Sequence, residues 1–382
     1  MTTILAAEHI LEQHPEQESM AIPDEIRSVK DYVQLPLVYN HWYVAGLVDE
    51  FGQEPLAKTL LERSIVFYRT EAGELTALQN RCLHRSFPLS QGFREGDLLV
   101  CRYHGIRYTP DGAVARVPCQ EHVPDRRLRR YPVRELGPFV FIWMGDPEHP
   151  DEGSFPDLPF LADPGYRSMF EGLDIQGSYL LMQENLNDLT HFAYLHKDTL
   201  PVGEAFLELP TEVKRTPEGR IWCNRVDANA ERAIGALPGS IRERVQGRPA
   251  ERWDGGMTFS PGVFQGFAPI HVGAVDDPHR ETFAQHIVHY LTPETRTSTH
   301  YWWSVTNDFA LDDDAYYQFM QAVLAAAFRE DKWACEHMQT LLDEHQGEYH
   351  DLGIQGDRAG MLFRGVMLDW VRAEYVEATQ TG

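Results

Sequence analysis

Between residues 40 and 146 the chain alternates short apolar runs with polar turns, a pattern typical of β-strands. The runs at 64–69 and 138–144 are rich in β-branched and aromatic side chains, which fit a pleated sheet. Turn signals separate such runs, for example at 71–74 and 110–112. This part of the sequence predicts a small all-β domain.

The pattern changes after residue 153. Segments 183–196 and 315–344 have helical periodicity, whereas 285–291 and 298–305 alternate apolar and polar residues as strands do. We therefore predict an α+β fold class, in which an N-terminal all-β domain precedes a C-terminal α+β domain with a large antiparallel sheet.

A Gly-, Pro- and Asp-rich stretch at 145–153 reads as the linker between these domains. The predicted boundaries are 1–38 for an N-terminal extension, 39–148 for the all-β domain and 149–382 for the α+β domain. We predict a short helix at 3–13 within the extension and assign the extension no function.

The formal net charge of −24 argues against a nucleic-acid partner, because binding to phosphates needs concentrated positive charge. No apolar run reaches the roughly 18 residues of a membrane-spanning helix, and the first residues lack the pattern of a secretion signal. A cytoplasmic protein without a membrane partner is expected. Five cysteines in such a chain favour metal or cluster binding over a disulfide framework.

Two cysteine–histidine pairs, Cys82-Leu-His84 and Cys101-Arg-Tyr-His104, stand in the first domain. The 16 residues between His84 and Cys101 suffice for a hairpin that brings the pairs together. Such a set could hold zinc, the commoner metal for two thiolates and two imidazoles. A Rieske [2Fe–2S] centre equally needs one Cys and one His from each of two loops, and the short first spacing favours it over zinc.

A second group of candidate ligands lies at 185–196. On a regular helix Asp188 and His191 share a face, but a spacing of five rotates His196 by about 140° from His191. The two histidines could therefore bind one metal only if the helix ends, bends or bulges between them. From spacing alone, ordinary surface or core histidines remain an alternative.

Taken together, these motifs resemble the Rieske non-haem iron oxygenases. That family carries C-x-H-R and C-x-Y-H-G, and this chain reads Cys82-Leu-His84-Arg85 and Cys101-Arg-Tyr103-His104-Gly105. The resemblance assigns Cys82, His84, Cys101 and His104 to the cluster. Ile106 departs from the Trp or Leu of many members but is still expected to pack beneath the cluster. Cys119 follows too late to be a ligand and is expected to be a buried or half-buried thiol.

The resemblance extends to the second domain, whose expected fold is of the helix-grip or START-like type. Its D-x₂-H-x₄-H signature matches Asp188, His191 and His196, and its E-D-x₄-E helix matches residues 330–336. The resemblance implies that His191, His196 and Asp331 bind a mononuclear Fe(II) as a 2-His-1-carboxylate triad.

Other residues around this iron take their expected roles from the same resemblance. Glu330 is the rival to Asp331 as the carboxylate ligand, and Asn185 is expected beside the ligands without binding the metal. Asp188 is expected to bridge, by hydrogen bonds, a cluster histidine of one subunit to an iron-binding histidine of the next. A head-to-tail homotrimer is therefore implied.

Within the family the likeness is greatest to vanillate and dicamba O-demethylases, which implies O₂-dependent demethylation of a methoxylated aromatic acid. His289 is the candidate contact for a substrate carboxylate, although a core histidine is an equal alternative. One of Trp302 and Trp303 is expected to face the cavity, with Trp303 as our candidate, although simple core packing is the alternative for either. Ring dihydroxylation of an aromatic carboxylate is the rival reaction.

Residues 81–134 contain eleven Arg and five acidic residues, a local charge of +6 in an acidic chain. This asymmetry favours docking of an acidic ferredoxin or a ferredoxin-like reductase domain. No G-x-G-x-x-G fingerprint is evident, so NAD(P)H is expected to act only through a separate flavin reductase. A Rieske electron carrier and a zinc-stabilised binding protein remain rivals, but both leave residues 188–196 and Asp331 without a use.

Overall fold

The computed structural model describes residues 22–200, 202–345 and 349–379. In the N-terminal part, ten strands form three small antiparallel sheets, in the orders β1-β10-β9, β2-β3-β4 and β5-β6-β7-β8. The strands are β1 Trp42–Leu47, β2 Leu56–Leu60, β3 Arg63–Arg69, β4 Leu75–Gln79, β5 Phe93–Glu95, β6 Leu98–Val100, β7 Arg107–Tyr108, β8 Val114–Arg116, β9 Val133–Leu136 and β10 Phe139–Trp143. The predicted all-β domain is confirmed.

Nine antiparallel strands build one large sheet in the second part of the described chain, in the order β11-β19-β18-β15-β14-β13-β12, with β16 between β14 and β17. The strands are β11 Arg167–Ile175, β12 Thr211–Arg215, β13 Ile221–Asp227, β14 Ala250–Ser260, β15 Val263–Phe267, β16 Ile270–Val272, β17 Glu281–Phe283, β18 Gln285–Thr295 and β19 Ser298–Asn307. The predicted large antiparallel sheet is therefore confirmed.

Six α-helices accompany the sheets in the described residues. They are α1 Val29–Val33, α2 Tyr179–Asn187, α3 Ala230–Gly235, α4 Gly239–Val245, α5 Asp314–Glu344 and α6 Arg358–Thr379. Short 3₁₀ helices lie at Val48–Glu50, Leu89–Gln91, Glu152–Ser154, Pro159–Leu161, Leu189–Ala193, Glu204–Phe206 and Gln355–Asp357. None of the helices in the described residues is long and apolar enough to cross a membrane.

The two faces of the large sheet pack against different partners, because successive side chains of a strand point to opposite sides. On the inner face Tyr301 and Trp303 share a core with helices α2, α5 and α6. On the outer face Tyr290 and Trp302 pack against strands β1 and β10 of the N-terminal part. A long helix thus crosses a broad antiparallel sheet, the arrangement expected of a helix-grip domain.

Two expectations about local structure are wrong. The helix predicted at 183–196 ends at Asn187, and Asp188 is extended, with φ −117° and ψ 107°. The reason is local: the Asp188 side chain accepts a hydrogen bond from Thr190 N, which satisfies the start of a new 3₁₀ turn instead of continuing the helix. Cys119 is exposed, not buried or half-buried, because the loop that carries it lies on the surface.

The described part of the predicted N-terminal extension, residues 22–38, is well packed. Leu35, Leu37 and Val38 are buried in the same core as the helices of the second domain, and Tyr39 N donates to Glu374 of α6 at 2.8 Å. The helix predicted at 3–13 lies outside the described residues. The domain boundaries at 38 and 148 stay predictions.

Candidate functional site: two metal centres

Two loops of matching backbone geometry carry the Cys–His pairs. Cys82 N donates to Phe87 O at 3.0 Å, and Cys101 N donates to Ile106 O at 2.9 Å, so each cysteine starts a closed loop of equal length. Four residues after each cysteine the backbone is left-handed, with φ 56° at Ser86 and 69° at Gly105. Each loop contributes one Cys and one His, at spacings of two and three residues, as a binuclear cluster of the Rieske type requires.

The donor atoms of these loops fit a [2Fe–2S] cluster. The Cys82 and Cys101 side chains are buried, and burial together with the neighbouring Cys82 raises the pKa of the Cys101 thiol. A metal that binds this pair must displace the thiol protons, because the thiolate is the form that acts as a ligand. The imidazoles of His84 and His104 lie 4.6 Å apart, centroid to centroid, and both are exposed. Ile106 packs in the core of this domain, as expected.

Tyr108 completes the surroundings of the cluster loops and was not singled out from the sequence. Its hydroxyl oxygen lies 3.2 Å from Cys82 Sγ and accepts a hydrogen bond from Leu83 N at 3.1 Å. The phenol hydrogen is therefore free to point at the sulfur. In the sequence, the one indication of this role was the position of a tyrosine at the end of a strand, seven residues after the second cysteine. The pairing of β6 with β7 is what brings this tyrosine to the first loop.

The second centre joins the loop after α2 to the middle of α5. One ligand atom from each of His191, His196 and Asp331 lies within 4.8 Å of the others. Asp331 Oδ1 is 3.4 Å from His191 Nε2 and 3.1 Å from His196 Nε2. Because α2 ends before Asp188, the irregular turn lets both histidines face one point despite their spacing of five. Two imidazoles and one carboxylate suit a non-haem Fe(II) with open positions.

Neighbouring groups orient both histidines. His191 Nδ1 lies 2.5 Å from the Asp188 main-chain oxygen. His196 Nδ1 lies 2.8 Å from Glu330 Oε2, which also accepts a hydrogen bond from Thr199 Oγ1 at 2.7 Å. These contacts leave the Nε2 atom of each imidazole for a metal.

Electrostatics at the two histidines differ because their surroundings differ. Burial lowers the pKa of His191, which keeps it neutral and able to bind a metal. Burial opposes charging of His196 too, but hydrogen bonds and charges of Asp331 and Glu330 outweigh burial and raise its pKa. A divalent cation at His196 Nε2 would take the place of the proton beside Asp331, while Nδ1 keeps its hydrogen for Glu330.

The structure also fixes the positions of Asn185 and Glu330. Asn185 Nδ2 donates to Asp331 Oδ1 at 3.0 Å, so this side chain lies beside the ligand carboxylate. Glu330, the sequence rival to Asp331, is directed to the far side of His196. The sequence could not separate these adjacent acids, because their roles depend on which side of α5 faces the histidine loop.

Asp188 is half-buried next to the iron site. Its carboxylate accepts hydrogen bonds from Thr190 N and Thr190 Oγ1, both at 2.7 Å. Gly356 lies against it: a side chain there would approach Thr190 Cγ2 to 2.8 Å. Within one chain the link from Asp188 to His191 runs through the main-chain oxygen, whereas the carboxylate is held by Thr190.

The inner face of β18 and β19 supplies an aromatic wall next to α5. His289 pairs directly with Trp303 across these strands, and Phe328 of α5 lies 5.0 Å from each of their rings. Phe328 is one helical turn before Asp331, so the wall adjoins the candidate metal ligands. Trp302 points to the outer face. Burial lowers the pKa of His289 to about 4, so its imidazole is neutral.

Comparisons with known proteins agree with this geometry. The family model of the Rieske [2Fe-2S] domain matches residues 41–132, and that of the vanillate O-demethylase oxygenase C-terminal domain matches residues 175–373. A putative toluene-4-sulfonate monooxygenase system iron-sulfur subunit of Comamonas testosteroni is 32% identical over 81% of this chain and 90% of its own. The dicamba O-demethylase oxygenase component of Stenotrophomonas maltophilia is 29% identical over 80% and 89%.

A crystal structure of dicamba monooxygenase bound to dicamba superimposes with a TM-score of 0.73 and 27% sequence identity, covering 90% of this chain and 99% of that one. The family matches span both predicted centres, and the neighbour shares the whole architecture. The chain therefore belongs to the Rieske non-haem iron oxygenases, as an oxygenase component that carries a [2Fe–2S] cluster and a mononuclear iron.

Proposed function

We propose that this protein is the terminal oxygenase of a multicomponent system that O-demethylates a methoxylated aromatic acid. The observation that carries the proposal is the convergence of His191, His196 and Asp331 within 4.8 Å beside an aromatic wall. A Rieske electron carrier has no use for this second centre. The cluster ligands are Cys82, His84, Cys101 and His104.

The cofactors supply electron storage and O₂ activation, and the chain supplies binding and orientation. The reaction consumes ArOCH₃, O₂, two electrons and two protons and yields ArOH, formaldehyde and water. Hydroxylation of the methyl carbon gives a hemiacetal, and this loses formaldehyde as the phenol oxygen takes a proton. The names of the dicamba and vanillate O-demethylase relatives support demethylation. Ring dihydroxylation would instead give a cis-dihydrodiol without formaldehyde.

The proposal is tested by turnover with a panel of methoxybenzoates and methoxybenzenesulfonates. Purified enzyme, a plant-type ferredoxin, a ferredoxin reductase and NADPH are incubated with each compound, and formaldehyde is measured with the phenol formed. Stoichiometric formaldehyde and phenol support demethylation. A cis-diol without formaldehyde would establish the dioxygenase reaction, and O₂ uptake without any organic product would contradict both.

Glu330 is expected to hold His196 without binding iron itself. In Glu330→Gln the His196 imidazole loses its charged partner, so we expect iron affinity and turnover to fall by about 10- to 100-fold while the cluster is unaffected. Iron affinity is measured by titrating Fe(II) into chelator-treated enzyme, with the cluster followed by its visible absorption. Exposed Glu344 of the same helix provides the control Glu344→Ala. Equal iron affinity in Glu330→Gln and wild type would contradict this role.

We further propose a head-to-tail homotrimer. No hydrogen bond or ring contact among the described residues joins His84 or His104 to the iron ligands of the same chain, and both histidines are exposed. The cluster tip presents Leu83 and Tyr103 at 38% and 56% exposure. Beside Asp188, the loop 349–357 presents Leu352 and Ile354 at 90% and 55%. Burying these two apolar surfaces against each other would bring a cluster of one chain to Asp188 of the next.

Substitutions in the loop 349–357 test this assembly. The double variant Leu352→Asp/Ile354→Asp would place two carboxylates in the interface at a cost of about 3 kcal/mol or more. We expect the mass from light scattering to fall from three chains toward one, with iron and sulfide per chain unchanged and turnover lost. Val275, 82% exposed in a distant loop, provides the control Val275→Asp. A three-chain mass in the double variant would contradict the predicted interface.

The electron donor is proposed to be an acidic ferredoxin or a reductase with a ferredoxin-like domain. Arg102, Arg116, Arg126 and Arg130 are exposed and form no ion pair among the described residues. Arg127 is exposed and pairs with Asp111 at 3.2 Å. These arginines lie in the cluster domain of an otherwise acidic protein. Their positive charge complements that of an acidic donor, and such complementarity speeds the encounter of two proteins.

Neutralising this surface is expected to slow cluster reduction. For Arg126→Gln/Arg127→Gln we expect an about tenfold lower second-order rate with an acidic ferredoxin at low ionic strength, and a weaker dependence on salt. Stopped-flow absorbance of the cluster gives both quantities. Arg242→Gln removes an exposed arginine from the second domain as the control. Unchanged rate and salt dependence in the double variant would show that the donor docks elsewhere.

A further inference from the structure

The loop 349–357, ahead of α6, rests directly on the side chain of Asp188. A Cβ atom at Gly356 would stand 2.8 Å from Thr190 Cγ2, 3.3 Å from Thr190 Oγ1 and 3.2 Å from Asp188 Oδ1. A Cβ contact under 3.0 Å forces a neighbouring atom to move. The backbone of Gly356 lies outside the left-handed region. The glycine is therefore required by the space against Asp188 and Thr190, and its conformation alone would accept another residue.

A charged clamp holds this loop on α2, the helix that ends next to Asp188. Arg364 of α6 is 6% exposed. Its Nε donates to Glu184 Oε1 of α2 at 2.9 Å, and its Nη1 donates to Asp351 Oδ2 of the loop at 3.1 Å. Asp351 Oδ2 also accepts a hydrogen bond from Val29 N of α1 at 2.7 Å. Because a guanidinium is planar and rigid, its bonds to two carboxylates fix the loop relative to α2.

The clamp is charged although it is largely buried. Burial favours the neutral form of Arg364, but the carboxylates of Glu184 and Asp351 outweigh burial and raise the pKa of the guanidinium. Removing Arg364 would leave Glu184 with an uncompensated charge, which endangers the fold. The side chain of Asp351 is 26% exposed, so this residue offers the safer way to open the clamp.

We propose that Gly356 is a positioning residue for Asp188. With the loop clamped at Asp351, the bare backbone at Gly356 supports the arrangement in which Thr190 donates to the Asp188 carboxylate. This inference rests on the proposed function, in which one electron at a time passes beside Asp188 from the cluster of one chain to the iron of the next. Groups in such a path must be held to within about 0.5 Å by rigid support.

Gly356→Ala tests the support directly. The added methyl must displace Thr190 or Asp188, so reoxidation of the chemically reduced cluster by O₂ and 3-methoxybenzoate should slow by about tenfold, the smaller loss expected around metal ligands. Iron, sulfide and the mass from light scattering should equal those of wild type. Gly353→Ala is the matched control, because it adds the same methyl to the same loop with no atom within 4 Å.

The control should reoxidise at the wild-type rate. Wild-type reoxidation in Gly356→Ala would overturn the inference. A loss of mass in Gly356→Ala would make this residue part of an interface between chains and would overturn the inference as well.

Two second substitutions separate positioning from a general disturbance of the loop. Thr190→Ser removes Cγ2, the atom nearest to the added methyl, and keeps the hydroxyl that donates to Asp188. In this background Gly356→Ala should lose most of its effect. In the Asp188→Ala background it should have no effect at all, because residues that act through one group are not additive.

Equal slowing by Gly356→Ala with and without Asp188 would overturn the positioning role. Wild-type reoxidation in Asp188→Ala itself would refute the bridge in the proposed function. A slow Asp188→Ala beside a wild-type Gly356→Ala would instead refute the positioning role alone.

Asp351→Ala tests the clamp without reference to turnover. The substitution frees the loop from Arg364 and α1, so amide hydrogen exchange of residues 349–357, followed by mass spectrometry, should be about tenfold faster. Asp369→Ala is the control, because it removes an exposed carboxylate of α6 that pairs with Arg215 at 3.4 Å. The control should exchange as wild type does. Unchanged exchange in Asp351→Ala would show that other contacts hold the loop and would overturn the clamp.

Discussion

Replacing Asp331 by Ala is expected to leave two iron atoms per chain in place of three, with both acid-labile sulfides retained. Asp331 is 2% exposed and is the one carboxylate among the described residues that reaches both histidine Nε2 atoms, at 3.4 and 3.1 Å. Without it the two neutral imidazoles hold Fe(II) weakly. Turnover should fall by more than about a hundredfold. Loss of a residue that only hydrogen-bonds to a metal ligand already costs up to about a hundredfold in activity, and loss of the ligand itself should cost more.

Iron and sulfide analysis of anaerobically purified protein gives the result directly, and the visible spectrum reports the intact cluster. Exposed Glu344 serves again as the control, because Glu344→Ala changes the charge of α5 equally at a distance from the site. Retention of three irons in Asp331→Ala would mean that a different residue supplies the oxygen ligand. Glu330 would be the first to examine, since it already contacts His196.

Asp188→Ala is expected to separate the two cofactors electronically while leaving both in place. The variant should keep three irons and the mass of wild type, because no hydrogen bond among the described residues joins the Asp188 carboxylate to a candidate cluster or iron ligand of the same chain. Reoxidation of the reduced cluster by O₂ and substrate should slow by about a hundredfold. This is the largest loss of activity expected when a residue that hydrogen-bonds to a metal ligand is removed.

Rapid mixing of chemically reduced enzyme with O₂ and substrate measures this step apart from the electron donor. Thr190→Val is the informative comparison, because it removes the hydroxyl that donates to the Asp188 carboxylate and leaves the carboxylate itself. We expect a smaller effect in Thr190→Val than in Asp188→Ala. Wild-type reoxidation in Asp188→Ala would show that electrons reach the iron by a route that avoids this carboxylate.

The sequence contributed more to the assignment of Asp331 than to the expected role of Asp188. The Asp331 assignment began as a motif match with a rival next to it, and the motif could not separate Glu330 from Asp331. Adjacent residues on a helix are rotated by about 100°, so only the docking of α5 against the histidine loop determines which acid faces both histidines. The proposed assembly around Asp188 depends on surfaces of two chains, which no pattern within one chain describes.

The sequence by itself determined the fold class, the cofactor types and the ligand candidates of this protein. Strand alternation and helical periodicity are local properties of the chain, and they carry the fold class without tertiary contacts. The cofactor types and ligand candidates came from the likeness of the Cys–His and Asp–His motifs to those of a known family.

Tertiary structure alone decided two other features: the contact of Glu330 with His196, and the pairing of Tyr301 with His289 next to Trp303. The physical reason is the same in each case. A side chain's partners are set by the packing of elements distant in sequence. The end of α2 at Asn187 has a different, local cause, because the hydrogen bond from Thr190 N to the Asp188 carboxylate replaces the continuation of the helix.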